Sequence, residues 1–347
     1  MTEAVAAWGA TAPDAPIAPL PIERRDLRID DVAIDILYCG VCHSDLHTAR
    51  NDWGRTRYPI VPGHEIIGRV SAVGSAVSGF AIGDAVAVGC LVDACLECPN
   101  CADHQEQYCP GSVGTYNSRD RHGGSQTQGG YSKRVIVREA FVLRVPEGLD
   151  LAKAAPLLCA GITTYSPLRH WGVGPGQQVA VAGLGGLGHM GVKFAAALGA
   201  EVTMITTSPS KADDARALGA AHVLIATDKE AMKAANGRFD FILDTIPVAH
   251  EYQNYLRLLK TSGHLVIVGA IEQMPGFHSG LLLGGRKSIA GSAIGGIRET
   301  QQMLDFCAVH GILPDTETIA IADINAAYER MEKSDVKYRF VIDMATL

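Results

Sequence analysis

Short apolar runs, broken by glycine, proline and aspartate, fill the first 150 residues. The clearest are Val32–Leu37, Ile66–Val73, Ala85–Val88 and Tyr131–Val137. Runs of this length between turn residues predict antiparallel strands, so we expect a compact β-rich domain here. A polar, glycine-rich stretch covers residues 110–130, and so long a loop is usually functional or mobile.

The pattern changes after about residue 150, where apolar runs alternate with helical periods. The predicted strands are Gln177–Ala182, Val202–Ile205, Phe239–Leu243 and Leu265–Val268. The predicted helices are an alanine-rich segment ending at Leu198, then Ser210–Leu218, Glu251–Lys260 and Thr300–Val309. Strands that alternate with helices predict βαβ units and a parallel sheet.

Length and composition limit the classes of protein. The 347 residues are enough for two domains, and 47% of them are apolar. The net charge of -7, without a dense basic block, argues against a nucleic-acid surface. No apolar run is long enough to span a membrane, and the start of the chain lacks the basic segment of a secretory signal. We therefore expect a cytoplasmic protein.

Four of the nine cysteines lie within one short segment. Their spacing is C-x2-C-x2-C-x7-C, formed by Cys95, Cys98, Cys101 and Cys109. Four thiolates so arranged can close around one tetrahedral zinc, and a shell filled by sulfur leaves no position for a substrate. The segment thus predicts a structural zinc site. Buried or disulfide-bonded cysteines are the alternative.

A glycine-rich loop follows the strand predicted at Gln177–Ala182. Its residues are Gly183, Leu184, Gly185, Gly186, Leu187 and Gly188, which fit G-x-G-x-x-G. In a strand–loop–helix context these glycines allow a tight turn, close approach of backbone to a pyrophosphate, and close packing of helix on strand. The loop predicts dinucleotide binding, and a glycine turn that merely packs is the alternative.

The end of the next predicted strand bears on the choice of dinucleotide. NAD-binding proteins usually carry an acidic residue here, which bonds the ribose 2′-hydroxyl. This chain instead has Thr206, Thr207 and Ser208, with Lys211 close behind. Hydroxyls and a cation suit a phosphate, so the segment favours NADP over NAD. Alternatively, Lys211 is a solvated residue of the following helix.

Two further cysteines and a histidine lie in separate segments, at Cys42, His64 and Cys159. Their spacing proves no site. As a set, two cysteines and one histidine form a catalytic zinc site that keeps one position for water or substrate. Such an ion lowers the pKa of a bound oxygen.

With these motifs in view, the chain resembles the zinc-dependent medium-chain alcohol dehydrogenases, in the cinnamyl-alcohol-dehydrogenase-like group. The resemblance runs almost end to end. It rests on the Cys39–His47 block, Gly63-His64-Glu65, the four cysteines, Gly129-Gly130-Tyr131-Ser132, Cys159-Ala160-Gly161-Ile162-Thr163-Thr164, the glycine loop and Tyr338-Arg339-Phe340-Val341.

The resemblance implies an α/β protein with a GroES-like β-rich catalytic domain and a Rossmann doubly wound parallel-sheet domain. The expected domains are residues 1–152 with 296–347, and residues 153–295. It also implies that Cys42, His64 and Cys159 bind a catalytic zinc, with Glu65 as an alternative ligand or as a neighbour of the ligands. Ser44 and His47 would form a proton relay, unless Ser44 is a helix cap and His47 a surface residue. Residues expected near the cofactor are Thr163, Val268, Gly269, Ala270 and Arg339.

The implied function is an NADP(H)-dependent alcohol dehydrogenase or aldehyde reductase with two zinc ions per chain, working as a homodimer. Three alternatives stay open: an NAD-linked dehydrogenase that mainly oxidises, a zinc-free quinone reductase, and a zinc-dependent regulatory protein. Arg339 could instead form a surface salt bridge. Plant lignin enzymes of this family carry a bulky aromatic residue where this chain has Ser112-Val113-Gly114-Thr115. Their substrate specificity is therefore not carried over.

Overall fold

A computed structural model describes residues 3–269 and 273–347 and divides the chain into two compact units. The split unit contains the residues up to Cys159 together with Gly295–Leu347, and the continuous unit is Ala160–Ile294. The units meet at 159/160 and 294/295, whereas the domain boundaries expected from the sequence are 152/153 and 295/296. Those domain boundaries stay a prediction.

The split unit is rich in short strands. Its elements before Cys159 are β1 Glu3–Val5, β2 Trp8–Gly9, β3 Ala18–Pro19, β4 Ile22–Arg24, β5 Asp31–Val41, α1 His43–Ala49, β6 Ile66–Val73, β7 Ala85–Val88, β8 Leu91–Asp93, α2 Pro99–Ala102, β9 Val113–Gly114, β10 Arg134–Arg138, β11 Leu143–Arg144 and α3 Leu151–Ala154.

A seven-stranded sheet forms the centre of this unit, in the order β11-β7-β6-β5 and onward to two strands from the end of the chain, with β10 also paired to β5. The strand β5 is buried along most of its 11 residues, which suits its valine- and isoleucine-rich sequence. The antiparallel pairing of β5 with β6 and β10 agrees with the antiparallel strands predicted from the short apolar runs.

The continuous unit alternates strands and helices. Its elements are α4 Ala160–His170, β12 Gln178–Ala182, α5 Gly188–Ala197, β13 Glu201–Thr206, α6 Ala212–Ala217, β14 His222–Ile225, α7 Lys229–Ala234, β15 Phe239–Asp244, α8 Tyr252–Leu258, β16 Leu259–Ile267, α9 Gly280–Leu283 and β17 Ser288–Gly291.

These six strands form one parallel sheet, in the order β14-β13-β12-β15-β16-β17. The chain leaves β12 toward β13 on one side and later returns to β15 on the other. In such sheets ligands bind outside the carboxyl ends of the strands, where the strand order reverses. The glycine loop 183–188 follows β12 at that point.

The chain then returns to the split unit. Its last elements are α10 Ile297–His310, β18 Thr316–Ala320, α11 Ile324–Glu332 and β19 Arg339–Asp343. The strand β19 pairs with β5, where Phe340 lies opposite Val41, and β18 pairs with β19 at the edge. No helix within the described residues is long and apolar enough to cross a membrane.

Candidate active site

Four buried side chains from three segments of the split unit converge on one point. Cys42 lies where β5 passes into α1, His64 and Glu65 directly precede β6, and Cys159 follows a 3-10 turn at residues 155–158. One ligand atom from each of the four lies within 4.8 Å of all the others. The structure therefore brings together the four residues expected to hold a catalytic zinc.

The chemistry of this cluster fits a zinc ion. A tetrahedral zinc with Zn–S bonds of about 2.3 Å separates its sulfur ligands by about 3.8 Å. The Cys42 and Cys159 sulfurs are 3.8 Å apart. His64 Nε2 is buried and has no hydrogen-bond partner among the described residues. Since a buried polar atom without a partner is costly, a metal ion at this point is the arrangement that satisfies it.

The two thiols of the cluster differ in acidity. A hydrogen bond from Cys159 lowers the pKa of Cys42, while burial raises it and the charges of Arg339 and His64 lower it further. The same hydrogen bond, together with burial, raises the pKa of Cys159. The Cys42 sulfur is thus the first to become a thiolate, which is the form that binds metals.

Glu65 forms a buried ion pair with Arg339, from β19. Both side chains are at most 5% exposed, so the pair is not the surface salt bridge that was one alternative for Arg339. Burial raises the pKa of Glu65, and the charge of Arg339 opposes that rise. The pairing joins the last strand of the sheet to the ligand cluster. A role for Arg339 at a cofactor stays a prediction.

A second carboxylate organises the backbone around the cluster. Asp45 is fully buried, and its oxygens accept hydrogen bonds from the N–H groups of Cys42 at 2.9 Å and Gly63 at 3.0 Å. Its Oδ1 is 3.4 Å from His64 Nδ1. Asp45 was not among the residues predicted from the sequence, although its position three residues after Cys42, at the start of a helix, is the signal of a capping carboxylate.

Tyr116 is another neighbour that the sequence did not reveal. Its hydroxyl is 3.1 Å from His64 Nδ1, and its ring stacks on the imidazole with centroids 5.5 Å apart. It lies in the polar loop 110–130. No spacing or composition signal marked this tyrosine, because the loop and His64 meet only in the folded chain.

The two residues expected to form a proton relay lie on α1. Ser44 is partly exposed, and the N-cap of this helix is Cys42, so Ser44 is not its cap. His47 Nδ1 is 2.7 Å from Asp52 Oδ2, and the His47 side chain is 39% exposed. His47 is therefore partly open to solvent, with one ring nitrogen held by a carboxylate. The relay itself stays a prediction.

The four-cysteine segment forms a separate cluster between β8 and β9. One sulfur of each cysteine lies within 4.8 Å of the others, with Cys95 3.8 Å from Cys101 and 3.4 Å from Cys109. No disulfide joins them. Hydrogen bonds from the N–H groups of Glu97 and Cys98 lower the pKa of Cys95 to about 6. The donor set and its spacing fit a structural zinc.

In the continuous unit, the glycine loop has the form that a pyrophosphate requires. A Cβ at Gly188 would lie 1.8 Å from the Gly183 carbonyl oxygen, so only glycine fits there. A Cβ at Gly185 would meet nothing within 4 Å, so the loop has an open face. The helix α5 begins at Gly188 and presents its N-terminus to the same region.

Of the other predicted cofactor residues, Lys211 contacts this loop directly. Lys211 Nζ donates to the Leu184 carbonyl at 3.1 Å, and Thr206 Oγ1 accepts from the Ser208 N–H at 3.2 Å. Thr207 is exposed. Val268 and Gly269 follow β16, and Gly269 packs against Thr245. Thr163 is buried in α4, and Ala270 lies outside the described residues.

An ion pair between a histidine and an aspartate, which the sequence pattern did not predict, lies beside the same loop. His250 Nε2 is 2.9 Å from Oδ2 of the buried Asp244, at the carboxyl end of β15. Next to it, Thr245 Oγ1 donates to the carbonyls of Ala182 and Gly183. The Thr245 hydroxyl thus links the segment 244–250 to the glycine loop. The His250–Asp244 pair joins the two ends of this segment.

Comparison with known families agrees with this arrangement. Residues 28–147 match the alcohol dehydrogenase GroES-like domain, and residues 186–309 match the zinc-binding dehydrogenase domain. Together these define a two-domain zinc oxidoreductase.

Curated relatives and solved structures extend the match over the whole chain. An aldehyde reductase of Escherichia coli is 52% identical, and an NADP-dependent alcohol dehydrogenase of Mycolicibacterium smegmatis is 51% identical, each with 99% of both chains covered. A cinnamyl alcohol dehydrogenase structure from Sorghum bicolor matches with a TM-score of 0.96 and 44% identity, over 99% of this chain and 98% of that one. A Helicobacter pylori CAD structure complexed with NADP(H) matches with a TM-score of 0.93 and 41% identity, over 99% of both chains.

The chain belongs to the zinc-dependent medium-chain alcohol dehydrogenases, in the cinnamyl-alcohol-dehydrogenase-like group. This confirms the resemblance drawn from its motifs.

Proposed function

We propose that this protein is an NADP(H)-dependent alcohol dehydrogenase and aldehyde reductase acting on primary alcohols and aldehydes, of broad aliphatic and aromatic specificity. The observation that carries the proposal is the buried cluster at which Cys42, His64 and Cys159 offer three donors, with Glu65 paired to Arg339 beside them; three donors suit a zinc with a position left for substrate. A second zinc held by the four-cysteine segment is structural in this proposal.

Each residue of the cluster has a distinct part. Cys42 and Cys159 supply the thiolates and His64 supplies Nε2 as the third donor. Glu65 is held by Arg339 next to these donors and serves as an alternative ligand. When bound, zinc acts as a Lewis acid on the substrate oxygen, and NADP(H) supplies or accepts the hydride.

The chain must also move one proton between the substrate oxygen and solvent. Ser44 Oγ and the His47 imidazole lie three residues apart on α1, and therefore on one side of that helix. The Asp52 carboxylate holds His47 Nδ1, which leaves Nε2 to exchange the proton. Because His47 is partly exposed, it can pass that proton to water.

The residues after β13 support NADP over NAD. Thr206, Thr207, Ser208 and Lys211 bring hydroxyls and a cation to the edge of the glycine loop, without the acidic residue that would repel a 2′-phosphate. The relatives named above include an NADP-dependent enzyme and a structure complexed with NADP(H).

The deciding experiment compares kcat/KM for NADPH and NADH with a panel of aliphatic and aromatic aldehydes. A clear NADPH preference with reduction of several aldehydes supports the proposal. Preference for NADH, with oxidation faster than reduction, would favour the NAD-linked alternative. Full activity with fewer than two zincs per chain would revive the zinc-free alternative.

The edge of the parallel sheet supports assembly as a homodimer. Among the described residues the strand β17 pairs only with β16, and exposed sheet edges are sites where a second chain adds. Leu283, just before β17, is 82% exposed. Light scattering on the purified protein would show a dimer, and Leu283→Glu would shift it toward monomer.

A cytoplasmic location agrees with nine free cysteines, since reducing compartments keep thiols unpaired.

A further inference from the structure

The imidazole of His64 has two nitrogens with different surroundings. Nε2 faces the ligand cluster and has no hydrogen-bond partner among the described residues, whereas Nδ1 is 3.1 Å from the Tyr116 hydroxyl. If Nε2 binds the metal, the proton of the neutral ring must be on Nδ1. This tautomer follows from the network, in which Nδ1–H donates to Tyr116.

The same imidazole nitrogen also faces the Asp45 carboxylate. That carboxylate accepts hydrogen bonds from the N–H groups of Cys42 and Gly63 and from the Tyr131 hydroxyl at 3.3 Å. His64 Nδ1 is nearer to the tyrosine oxygen, at 3.1 Å, than to Asp45 Oδ1, at 3.4 Å. The tyrosine hydroxyl is therefore the nearer of two partners of this nitrogen, and the Asp45 carboxylate is the second.

Several backbone contacts fix the position of Tyr116. The Thr115 N–H donates to the Cys90 carbonyl at 3.1 Å, and the Thr115 hydroxyl donates to the Gly89 carbonyl. On the other side, the Asn117 N–H donates to the Thr127 carbonyl at 3.0 Å. The tyrosine is thus held from both sides, and its ring stacks on the imidazole.

We infer that Tyr116 is a positioning residue that fixes the tautomer and orientation of His64 and so slows loss of the zinc held by Cys42, His64 and Cys159. Partners of this kind commonly change metal affinity by 10–100-fold. The inference rests on the proposed function, because it requires a zinc at that cluster.

The test is Tyr116→Phe, which keeps the stacked ring and removes only the hydroxyl. Zinc release to a chromogenic chelator is followed on the purified protein without substrate or cofactor. We expect wild type to hold two zincs, and the variant to release one of them about 10–100-fold faster. The zinc of the four-cysteine segment serves as an internal reference and should leave at an unchanged rate. In the cobalt-substituted protein, the d–d spectrum of the same site should shift.

Tyr328→Phe is the matched control. Tyr328 is a buried tyrosine of the same unit, whereas Tyr116 is half-buried, and the Tyr328 hydroxyl contacts the Tyr131 hydroxyl at 3.4 Å and not His64. This variant should release both zincs as wild type does. If Tyr116→Phe melts early, release is measured below its transition, against the same internal reference.

The outcomes separate the two proposals. Release from Tyr116→Phe within twofold of wild type, with an unchanged cobalt spectrum, would overturn the positioning role. A wild type that binds only one zinc per chain would instead contradict the proposed function. Equal acceleration of both zincs in the variant would mean general loosening and would also count against Tyr116.

Discussion

At the scale of single residues, buried charge is concentrated around the Cys42–His64–Cys159 cluster. Glu65, Asp45 and Arg339 are all at most 5% exposed, and each has a defined partner. A buried charge is tolerated only when it is paired or hydrogen-bonded. The positions of these side chains are therefore fixed, and each change should have a large and specific effect.

Arg339→Met should strongly destabilise the split unit. It leaves the buried Glu65 without its partner, and breaking a buried pair costs about 3–5 kcal/mol. Urea unfolding followed by fluorescence measures the loss. Arg330→Met removes an arginine from the exposed pair with Glu317 and should change stability far less. Adding Glu65→Gln to Arg339→Met should recover part of the loss. Equal losses in the two arginine variants would contradict this account.

Lys211→Glu should lower kcat/KM for NADPH by on the order of 10–100-fold, since a hydrogen bond to a charged group is worth about 1.5–3 kcal/mol. NADH has no 2′-phosphate, so its kcat/KM should change little. Steady-state kinetics with both coenzymes check this. Lys211→Gln removes the cation without adding a negative charge. Its kcat/KM for NADPH should lie between the values for wild type and Lys211→Glu. Parallel loss with NADPH and NADH would show that Lys211 supports the loop through Leu184 and not the phosphate.

At the scale of elements, the sequence predicted strands with clean boundaries better than elements that meet without a turn. The predicted runs Ile66–Val73 and Ala85–Val88 coincide with β6 and β7. The predicted helix Glu251–Lys260 runs too far, because α8 passes directly into β16 at Leu259 with no glycine or proline between them. Sequence periodicity cannot separate a helix from a strand where no turn residue marks the change.

The same limit applies to the site. Cysteines and histidines stand out by residue type, so Cys42, His64 and Cys159 could be picked out from the sequence, whereas Glu65 was named only through the family resemblance. Tyr116 contacts His64, and Asp45 accepts from Gly63, across long stretches of sequence, while His250 pairs with Asp244 across a loop that no motif marks. Their roles depend on which segments meet, and this is a property of the tertiary fold. Strands β14, β17, β18 and β19 escaped prediction for a similar reason, being short or lacking strong alternation.

The segment 244–250, whose ends are joined by the His250–Asp244 pair, should lose stability as the pH rises. Burial lowers the pKa of His250, but hydrogen bonds to Asp244 and Val248 and the charge of Asp244 outweigh it, so the net shift is upward from 6.5. A raised folded pKa means that the stabilisation is complete below about pH 6.5 and disappears as the pH rises through the folded value. Burial raises the pKa of the adjacent Tyr252 and Tyr255 to about 12, so neither titrates in that range.

Melting temperatures of wild type and His250→Gln between pH 6 and 9 test this. At pH 6 the melting temperature of wild type should be on the order of 2–4 °C above that of His250→Gln, equivalent to about 1 kcal/mol. The difference between the two proteins should narrow toward pH 9. A gap that is constant or widens with pH would show that the imidazolium charge is not what stabilises the pair. His222→Gln, at an exposed histidine paired with Glu201, serves as the control.

At the scale of the whole molecule, the chain has two separate clusters of metal-ligating side chains, which we expect to differ in role: the four-cysteine cluster supports folding, and the Cys42–His64–Cys159 cluster supports the reaction. Cys42→Ala should retain the fold and one zinc per chain while losing aldehyde reduction. Cys98→Ala should lower the melting temperature, because a structural zinc contributes folding free energy directly. Metal analysis, circular dichroism and activity on both variants check this division. Full activity in Cys42→Ala would refute the catalytic assignment.

The pairing of β5 with β19 sets an order for events during synthesis. The ribosome delivers Val41 early and its partner Phe340 almost last. At about 5–20 residues per second, the interval is on the order of tens of seconds. Throughout it, Cys42 and His64 lie in a sheet that lacks β19 and the arginine that pairs with Glu65. The continuous unit has all its strands by Ile294 and can fold first. The split unit, which contains both clusters of metal-ligating side chains, is thus the later of the two units to be completed. Its cysteines therefore remain accessible to chaperones and oxidants for longer.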